Sequence, residues 1–457
     1  MKSITQNNQN DKKISTSIFK FFKKYKIYSC LKAANAYKCK GISVIEIFQY
    51  LFCLIFENRS MYMNMLMNKE NKMFSKDTVY RFLNASHINW TRFTSLLAVK
   101  IASEDITGLT DDERVNVLII DDTMFERASS KKVELLSRVY DHAKHAYKYG
   151  FRLLTLGWSD GNTFLPVNSC LLSTENEKHR ITEAKTFDKR STAFQKRKLA
   201  QTKATSVALD LIKAAKQAKI QATHVLFDTW FCSPSSLIAI KKLGYDVIAM
   251  AKKTPKMHYL YNGKMQPLTE IYKQNKKRRG RSRFLLSVEV AVSKDGETIP
   301  ARVVYVKNRN KRKEYLCIIS TDMTISEDEI VRIYGKRWNI EVFFKICKSY
   351  LKLSKECNSI SYDAMTAHVA IVFTRYMMLA VENRQEIDAR SLGEIFFYLS
   401  DELADITWIQ ALHLLMQTFV NTLADKFSLS EDELTQLMDT FMAALPKNIV
   451  ECLGKCA

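Results

Sequence analysis

The sequence predicts an α/β protein: a mixed sheet flanked by helices, interrupted by a strand-rich insertion, with helical regions before and after this core. Two short runs, residues 117–120 and 225–227, are apolar at every position and lead directly into aspartate. Such runs are typical of buried strands in a sheet that is covered on both faces. A segment of alternating strands then separates the second run from the helix that carries Glu341, which accounts for the predicted insertion.

The first part of the chain, to about residue 105, predicts short helices in a basic context. The longest apolar stretch, residues 42–56, contains Glu46 and Gln49 and is too short and too polar to cross a bilayer, so it predicts a buried helix. Ser75 is a candidate N-cap for a later amphipathic helix. We therefore expect a helical DNA-binding domain over residues 1–110, similar to a helix-turn-helix, with a helical packing domain as the alternative.

The predicted core begins at residue 111 and its first part runs to residue 253. Because Lys196-Arg197-Lys198 lies in a polar, basic stretch, residues 175–205 predict a solvated loop or a loop that contacts phosphates. The other predicted elements are a strand at 116–121, a hairpin of 151–158 and 163–172, a helix at 206–218, a strand ending at Asp228, a helix from Pro234 to Gly244 and a strand at 246–251.

Residues 254–322 predict the strand-rich insertion, with strands at 284–292, 301–306 and 314–319 and a hairpin turn at Asp295-Gly296. A dense basic cluster precedes these strands. Contacts between such a cluster and DNA phosphates raise affinity without reading the base sequence. The residues of this cluster that we expect to bind DNA are Lys276, Lys277, Arg278, Arg279 and Arg281.

Charge is unevenly distributed along the chain. The net charge is +22, while residues 361–457 hold 6 Lys and Arg against 14 Asp and Glu, which leaves +30 on the first 360 residues. A basic body indicates a polyanionic partner, although a ribosomal or membrane-surface protein has a similar charge. The acidic, helical residues 359–457 are the expected dimer contact region. The ten cysteines contain no C-x-x-C pair, which favours reduced thiols in a cytosol.

Four residues after the insertion carry the most specific pattern: Tyr334, Arg337, Glu341 and Lys348, spaced by 3, 4 and 7. At about 100° per residue, they form a stripe about 60° wide on one face of one predicted helix. A carboxylate among cations suits a site that holds a metal and a phosphate together. Ion pairs on a solvated helix face give the same pattern, and a lone aspartate after a strand is typical of a turn or an N-cap. The combination with two strand-end acids favours a site.

These residues resemble the signature of the DDE transposases of the insertion-sequence-four family, written Y-(2)-R-(3)-E-(6)-K, at every spacing. The resemblance spans roughly residues 115–355. It implies an RNase H-like catalytic core whose second part, residues 323–358, contains the signature helix. The catalytic and metal-binding residues that it implies are Asp121, Asp228 and Glu341. The residues that it implies for binding DNA phosphates near the cut are Tyr334, Arg337 and Lys348.

Two assignments stay open at this point. The family pattern of an Asp, one residue and often a Thr points to Asp121, and Asp122 is the alternative, facing the opposite way if the strand continues. Some members of the family hold a flipped base with an aromatic side chain of the insertion. The insertion has no Trp here, so Tyr305 and Tyr315 are the candidates for that role. His142 is a further candidate DNA contact.

The chemistry explains the need for acids. Phosphodiester cleavage requires an activated water or 3′-hydroxyl and a stabilised leaving oxygen, and two divalent ions about 3.5–4 Å apart supply both. Hard oxygen ligands favour Mg²⁺ or Mn²⁺. We therefore expect two such ions in each active site when DNA is bound, and weak or partial occupancy without DNA.

The function that we expect is cut-and-paste transposition of an insertion sequence. The partners would be double-stranded DNA, as terminal inverted repeats and as target, and a second subunit in a homodimeric synaptic complex. The expected location is the bacterial cytoplasm, on the nucleoid, with no membrane association. The alternatives are an inactive relative that only binds the element's ends and a general nuclease with the same core.

Overall fold

The computed structural model describes residues 17–57, 60–67, 74–109, 114–129, 131–141, 145–278, 282–308, 311, 314–384, 423 and 431–444. Within these ranges the chain forms one mixed sheet of eleven strands flanked by helices, which confirms the predicted fold class. The apolar side chains of the sheet and of the helices around it belong to a single continuous core.

The core strands confirm the RNase H-like order, in which antiparallel strands come first and parallel strands follow. These strands are β1 (Val117–Glu126), β2 (Ser137–Asp141), β3 (Ala146–Ser159), β4 (Phe164–Leu172), β5 (His224–Phe227) and β6 (Asp246–Met250). Strand β3 pairs antiparallel with β1, β2 and β4, whereas β1, β5 and β6 are parallel neighbours. The short strand β2 was not expected from the sequence.

The insertion contributes five strands: β7 (Tyr259–Tyr261), β8 (Lys264–Gln266), β9 (Leu286–Lys294), β10 (Glu297–Lys307) and β11 (Tyr315–Ser320). Strand β11 pairs antiparallel with β6, so the strands of the insertion extend the core sheet instead of forming a sheet of their own. Asp295 and Gly296 have φ angles of 52° and 80° and join β9 to β10. Two positive φ values at the tip are what a tight hairpin turn requires.

Helices lie before, between and after the strands. They are α1 (Ser17–Lys24), α2 (Ile27–Ala33), α3 (Val44–Cys53), α4 (Met61–Met67), α5 (Lys76–Leu83), α6 (Trp90–Ile101), α7 (Thr192–Ala200), α8 (Ala204–Gln217), α9 (Pro234–Lys242), α10 (Leu268–Gln274), α11 (Glu327–Gly335), α12 (Trp338–Ser349), α13 (Tyr362–Arg384) and α14 (Glu431–Ala444). Helices α6 and α13 both pack on β4 and on each other, so the described N-terminal helices share the core of the sheet.

The loop predicted over residues 175–205 is wrong in its second half, because residues 192–200 form α7. Ser191 caps this helix by accepting a hydrogen bond from the backbone N–H of Phe194. Arg197 is only 2% exposed and forms ion pairs with Glu134 at 2.6 Å and with Asp363 at 2.8 Å. Arg197 therefore links three segments that are distant in sequence, and its guanidinium is too buried to contact DNA.

Helix α13 is long and apolar enough to cross a membrane, but 94% of its apolar window is buried inside the protein. Burial of this kind is typical of the central helix of a folded core, so its hydropathy is weak support for a membrane span. Helix α13 covers the apolar segment at 364–379, where the sequence predicted a helix packing on the core or on a second subunit. The remaining part of the predicted dimer contact region, apart from α14, lies outside the described residues.

Candidate active site

Asp121 and Asp228 lie on neighbouring parallel strands. Strand β1 pairs with β5 through Val117 with His224 and Ile119 with Leu226. The same register, continued two residues further, places Asp228 opposite Asp121. Asp228 follows directly after β5, as expected, whereas Asp121 lies inside β1, which continues to Glu126 instead of ending at residue 121. The continuation is paired along its whole length with β3.

Glu341 approaches the strands from a helix that faces them, but the predicted single signature helix is wrong. Residues 336 and 337 interrupt it, so Tyr334 lies in α11 and Glu341 in α12. The backbone N–H of Arg337 donates to Tyr334 O at 3.0 Å, a bond to the third preceding residue that tightens the turn. Gly335 ends α11, and glycine is among the residues least favourable to a helix interior.

Arg337 joins the helix to the strand. Its Nη1 donates to Oδ2 of Asp121 at 3.1 Å, and its Nη2 donates to Oε1 of Glu341. The planar guanidinium fork suits two carboxylates at once. The structure thus brings Asp121 and Glu341 to the same guanidinium. Asp228 lies opposite Asp121 on the neighbouring strand.

Burial and the nearby acid shift the titration of the site. The pKa of Asp121 is raised to about 7, mainly by burial and also by the charge of Asp228. A hydrogen bond from the backbone N–H of Asp122 and the charge of Arg337 oppose this shift. Burial also raises the pKa of the Tyr334 phenol, and Asp228 adds to this effect. Tyr334 is therefore a neutral hydrogen-bond donor at physiological pH.

Lys348 contacts the same face of β1 as Arg337, two residues further along the strand. Its ammonium donates to the hydroxyl of Thr123, two residues after Asp121. Side chains two apart on a strand share a face, so Arg337, through Asp121, and Lys348, through Thr123, contact the same face of β1. Burial lowers the pKa of Lys348, although Asp141 and Glu126 oppose the shift.

Asp122, the alternative to Asp121, lies on the other face of β1. It forms an ion pair with Arg152 of β3. The guanidinium of Arg152 in turn lies 4.9 Å from the centre of the Trp230 ring. Asp121, and not Asp122, therefore faces Glu341 through Arg337.

The three acids suit a hard divalent ion in chemical type, since carboxylate oxygens are the preferred ligands of Mg²⁺ and Mn²⁺. In the part of the chain that is described, however, no three His, Cys, Asp or Glu side chains converge closely enough to hold a metal ion. The guanidinium of Arg337 provides the positive charge between Asp121 and Glu341. Binding of an ion by this set requires Arg337 to give up at least one of these two contacts.

The basic cluster of the insertion is not joined to the acids. Lys277 lies 4.5 Å from the centre of the Tyr272 ring, and Arg278 lies 4.2 Å from that of Phe284. Lys276 and Arg278 are exposed. No ion pair links these three described residues to the strand-end acids. Arg279, Arg281 and His142 lie outside the described residues.

Neither tyrosine suggested as a base holder is available in the described conformation. Tyr305 is fully buried, and its hydroxyl donates to Leu268 O at 2.9 Å. Tyr315 stacks on Tyr272 with ring centres 4.0 Å apart. The suggestion is wrong for Tyr305, because alternation along β10 places this side chain on the buried face of the sheet.

Two residues next to the site, Lys336 and Trp230, were not predicted from the sequence. Lys336 donates to Val115 O at 2.6 Å and to Asp160 O at 3.2 Å, and this anchors the turn between α11 and α12. Trp230 is 46% exposed, and its backbone N–H donates to Asp228 Oδ1 at 2.8 Å. An aromatic residue two positions after a strand-end acid was the available signal for Trp230, whereas nothing in the sequence singles out Lys336.

One protein family matches the chain over the N-terminal helices, the first part of the core and most of the insertion. The family described as DDE superfamily endonuclease matches residues 29–312, which is well over half of the chain. The chain therefore belongs to the DDE superfamily of endonucleases, whose members act on DNA and generally use divalent metal ions. The matched segment contains Asp121 and Asp228 and ends before Glu341. No curated protein matches the chain.

Proposed function

We propose that this endonuclease is a cut-and-paste transposase of the insertion-sequence-four type. It binds the terminal inverted repeats of its element, cuts the phosphodiester bond at each end and joins the freed 3′-hydroxyl to target DNA. A homodimer would pair the two ends in a synaptic complex, and the protein would act on the nucleoid in the cytoplasm of a bacterium.

One observation carries the proposal: Asp121 and Glu341, far apart in sequence, contact the same Arg337, and the strand register sets Asp228 opposite Asp121. Tyr334 and Lys348 lie beside this cluster, at the spacing of the transposase signature. A solvated helix face of ion pairs would not direct its cation into a strand acid with only 20% of its side chain exposed.

Each residue has a distinct role in this proposal. The carboxylates of Asp121, Asp228 and Glu341 would hold one or two divalent ions, which supply charge stabilisation and an activated nucleophile when bound. Arg337 and Lys348 bind the phosphate next to the cut, and the neutral phenol of Tyr334 donates a hydrogen bond to it. The contacts of Arg337 with Asp121 and Glu341 offset part of the negative charge of the three acids.

Replacement of Glu341 by Gln tests the catalytic role. The variant retains the shape of the side chain and a hydrogen-bond acceptor for Arg337, but loses the negative charge. We expect Mg²⁺-dependent nicking of the element's end duplex to fall at least about a hundredfold, the order expected when a group that stabilises the transition state is removed. Binding of the same duplex should change little.

Glu270→Gln is the matched control, because Glu270 is half exposed in the insertion and, among the described residues, pairs with Lys273 at 2.8 Å. This variant should nick the duplex at the native rate. Nicking by Glu341→Gln at that rate would refute the assignment. A random duplex of equal length distinguishes a transposase, which cuts the end duplex selectively, from a general nuclease.

An end-binding protein without activity is the second candidate. The position of Arg337 between Asp121 and Glu341, together with the lack of a compact three-acid group in the described residues, favours it. Nicking of the end duplex by the native chain in Mg²⁺ would exclude this candidate, whereas end binding without nicking would support it.

A further inference from the structure

A groove of about 660 Å³ lies between β2, β3 and the amino ends of α8 and α9. We call it the lateral groove. Its walls come from β2, β3, the segment after β4 and the amino ends of α8 and α9. Four cationic side chains line it against one acidic side chain, Glu175. The cationic residues are Arg138, Arg152, Lys203 and Lys252.

Two residues in the wall of the lateral groove contact the segments that carry the acids. Arg152, in its wall, pairs with Asp122, the neighbour of Asp121. Trp230, also in its wall, follows Asp228 by two residues and donates its backbone N–H to that carboxylate at 2.8 Å. One wall of the groove therefore begins two residues after Asp228 along the chain.

The amino end of α8 gives the groove an anion-binding position. This helix has 14 residues, and Lys203 stands at its N-cap without a side-chain hydrogen bond to the first turn. The first backbone N–H groups of such a helix attract a phosphate. Ser173 lies in the same wall, is only 8% exposed, and its Oγ has no hydrogen-bond partner among the described residues. A buried hydroxyl without a partner is costly, and a phosphate oxygen would satisfy it.

Trp230 gives the groove a position for a base. Its side chain is 46% exposed, with Arg152 at 4.9 Å and Lys252 at 5.4 Å from the ring centre. Proteins that bind single strands combine a positive groove with aromatic rings on which bases stack. A duplex keeps its base faces stacked inside, so an exposed indole among cations suits a strand whose bases are free.

We propose that the lateral groove holds a single strand of DNA beside the acid cluster, with a phosphate at the amino end of α8 and a base against Trp230. The inference deepens the proposed function, since it names a state of the DNA that the site accepts. It differs from duplex end binding, which the proposed function already includes.

Binding of a labelled oligonucleotide of about twelve nucleotides, a length within the usual span of single-strand sites, tests the proposal. Fluorescence anisotropy is measured without divalent ions, so that no cutting occurs. Trp230→Leu should weaken binding about tenfold, the lower part of the range for one stacked base, and Trp230→Phe should restore most of it. Lys203→Gln should reduce the slope of log affinity against log salt by about 0.7.

Lys213→Gln is the matched control, because Lys213 lies on the same helix outside the groove and 54% of its side chain is exposed. It should bind the strand nearly as the native chain does. Native affinity in Trp230→Leu would overturn the proposal, as would an equal loss of duplex and single-strand binding in that variant. Thermal melting confirms that each variant is folded.

The two proposals fail separately. If the native chain does not nick its end duplex but Trp230→Leu selectively loses the single strand, the transposase activity is refuted and the groove stands. If the native chain nicks and Trp230→Leu binds the strand normally, the groove is refuted and the transposase stands.

Discussion

Arg337 sets the electrostatic state of the candidate site. Its guanidinium contacts Asp121 at 3.1 Å as well as Glu341, and 18% of its side chain is exposed. Removal of one partner from such a partly buried pair leaves an uncompensated charge. The sequence identified all three residues, but it assigned Arg337 only to phosphate. The contact with two acids depends on the approach of α12 to β1, which no residue spacing encodes.

The pKa of Asp121 leads to a pH-dependent effect on stability. Because this pKa is about 7 in the folded chain against an ordinary value of 3.8, the folded state binds a proton between these limits. The native stability therefore falls as pH rises from about 4 to about 7. Asp121→Asn removes this loss. Without divalent ions, we expect the variant to gain on the order of 2 kcal/mol over the native chain at pH 8 and almost nothing at pH 4.

Thermal or urea unfolding at the two pH values measures this difference. Asp210→Asn is a suitable control, because Asp210 lies on the surface of α8 with 48% of its side chain exposed. Its effect on stability should be small at both pH values. An Asp121→Asn variant that is less stable than the native chain at pH 8 would show that the ion pair with Arg337 outweighs burial.

At the scale of elements, the packing of α12 on the sheet decides where Glu341 lies. The ring of Phe343 in α12 packs at a tilt of 35° against that of Phe164 in β4, with ring centres 5.0 Å apart. The Phe164 ring covers Gly157 of β3, where a β-carbon would collide with it. Gly157 thus lets the aromatic layer approach the strand closely enough for α12 to reach β1. No local pattern singles out Gly157, because its importance comes from the Phe164 ring of the paired strand.

Gly157→Ala should disturb this layer. The added methyl group must displace Phe164, and overpacking of a filled core costs about 1–3 kcal/mol. We expect a lower melting temperature and slower nicking of the end duplex, because Phe164 supports α12.

Gly335→Ala is the opposite case: nothing lies within 4 Å of the position where its β-carbon would be. It should be neutral or stabilising by up to about 1 kcal/mol, as expected for Gly to Ala in a helix. Equal effects of the two substitutions on melting would contradict this account.

At the scale of the whole molecule, α13 joins the N-terminal helices to the catalytic sheet. Its buried Arg375 donates to the backbone oxygens of Leu51 and Phe52, and pairs with Glu356 at 2.7 Å. Burial favours a higher pKa for Glu356, but Arg375 is the main group that holds this pKa below its usual value. Arg375 thus joins three parts of the chain in one core: the end of α3, the segment that follows α12, and α13 itself. Separate domains would not require such a contact.

Arg375→Met tests this single core. The substitution preserves much of the side-chain volume but leaves Glu356 and two backbone oxygens without their donor. We expect a loss of about 3–5 kcal/mol, as for other buried pairs that lose one partner. Unfolding should remain a single transition, because the apolar core is continuous. Arg332→Met, at a position with 50% side-chain exposure on α11, should change stability much less. Two separate transitions in the native chain would disprove the single core.

The sequence by itself determined the fold class and most of the core strands, and it predicted the acids of the site. Apolar runs and turn residues are local signals, so β3 to β6 and the hairpin at Asp295-Gly296 follow from them. The spacing of 3, 4 and 7 residues predicted one helix face because a helix repeats every 3.6 residues, although the structure divides these residues between α11, a turn and α12. These properties need only the neighbours along the chain.

Only the tertiary structure decided how these pieces meet. It joined the insertion to the core sheet through β11 and β6, buried Arg197 between two acids, and directed Arg337 towards Asp121. It also directed Asp121 towards Arg337 and Asp122 towards Arg152, on opposite faces of β1. The reason is physical: burial and electrostatic interaction depend on distances between side chains that lie more than a hundred residues apart, and those distances are fixed by packing.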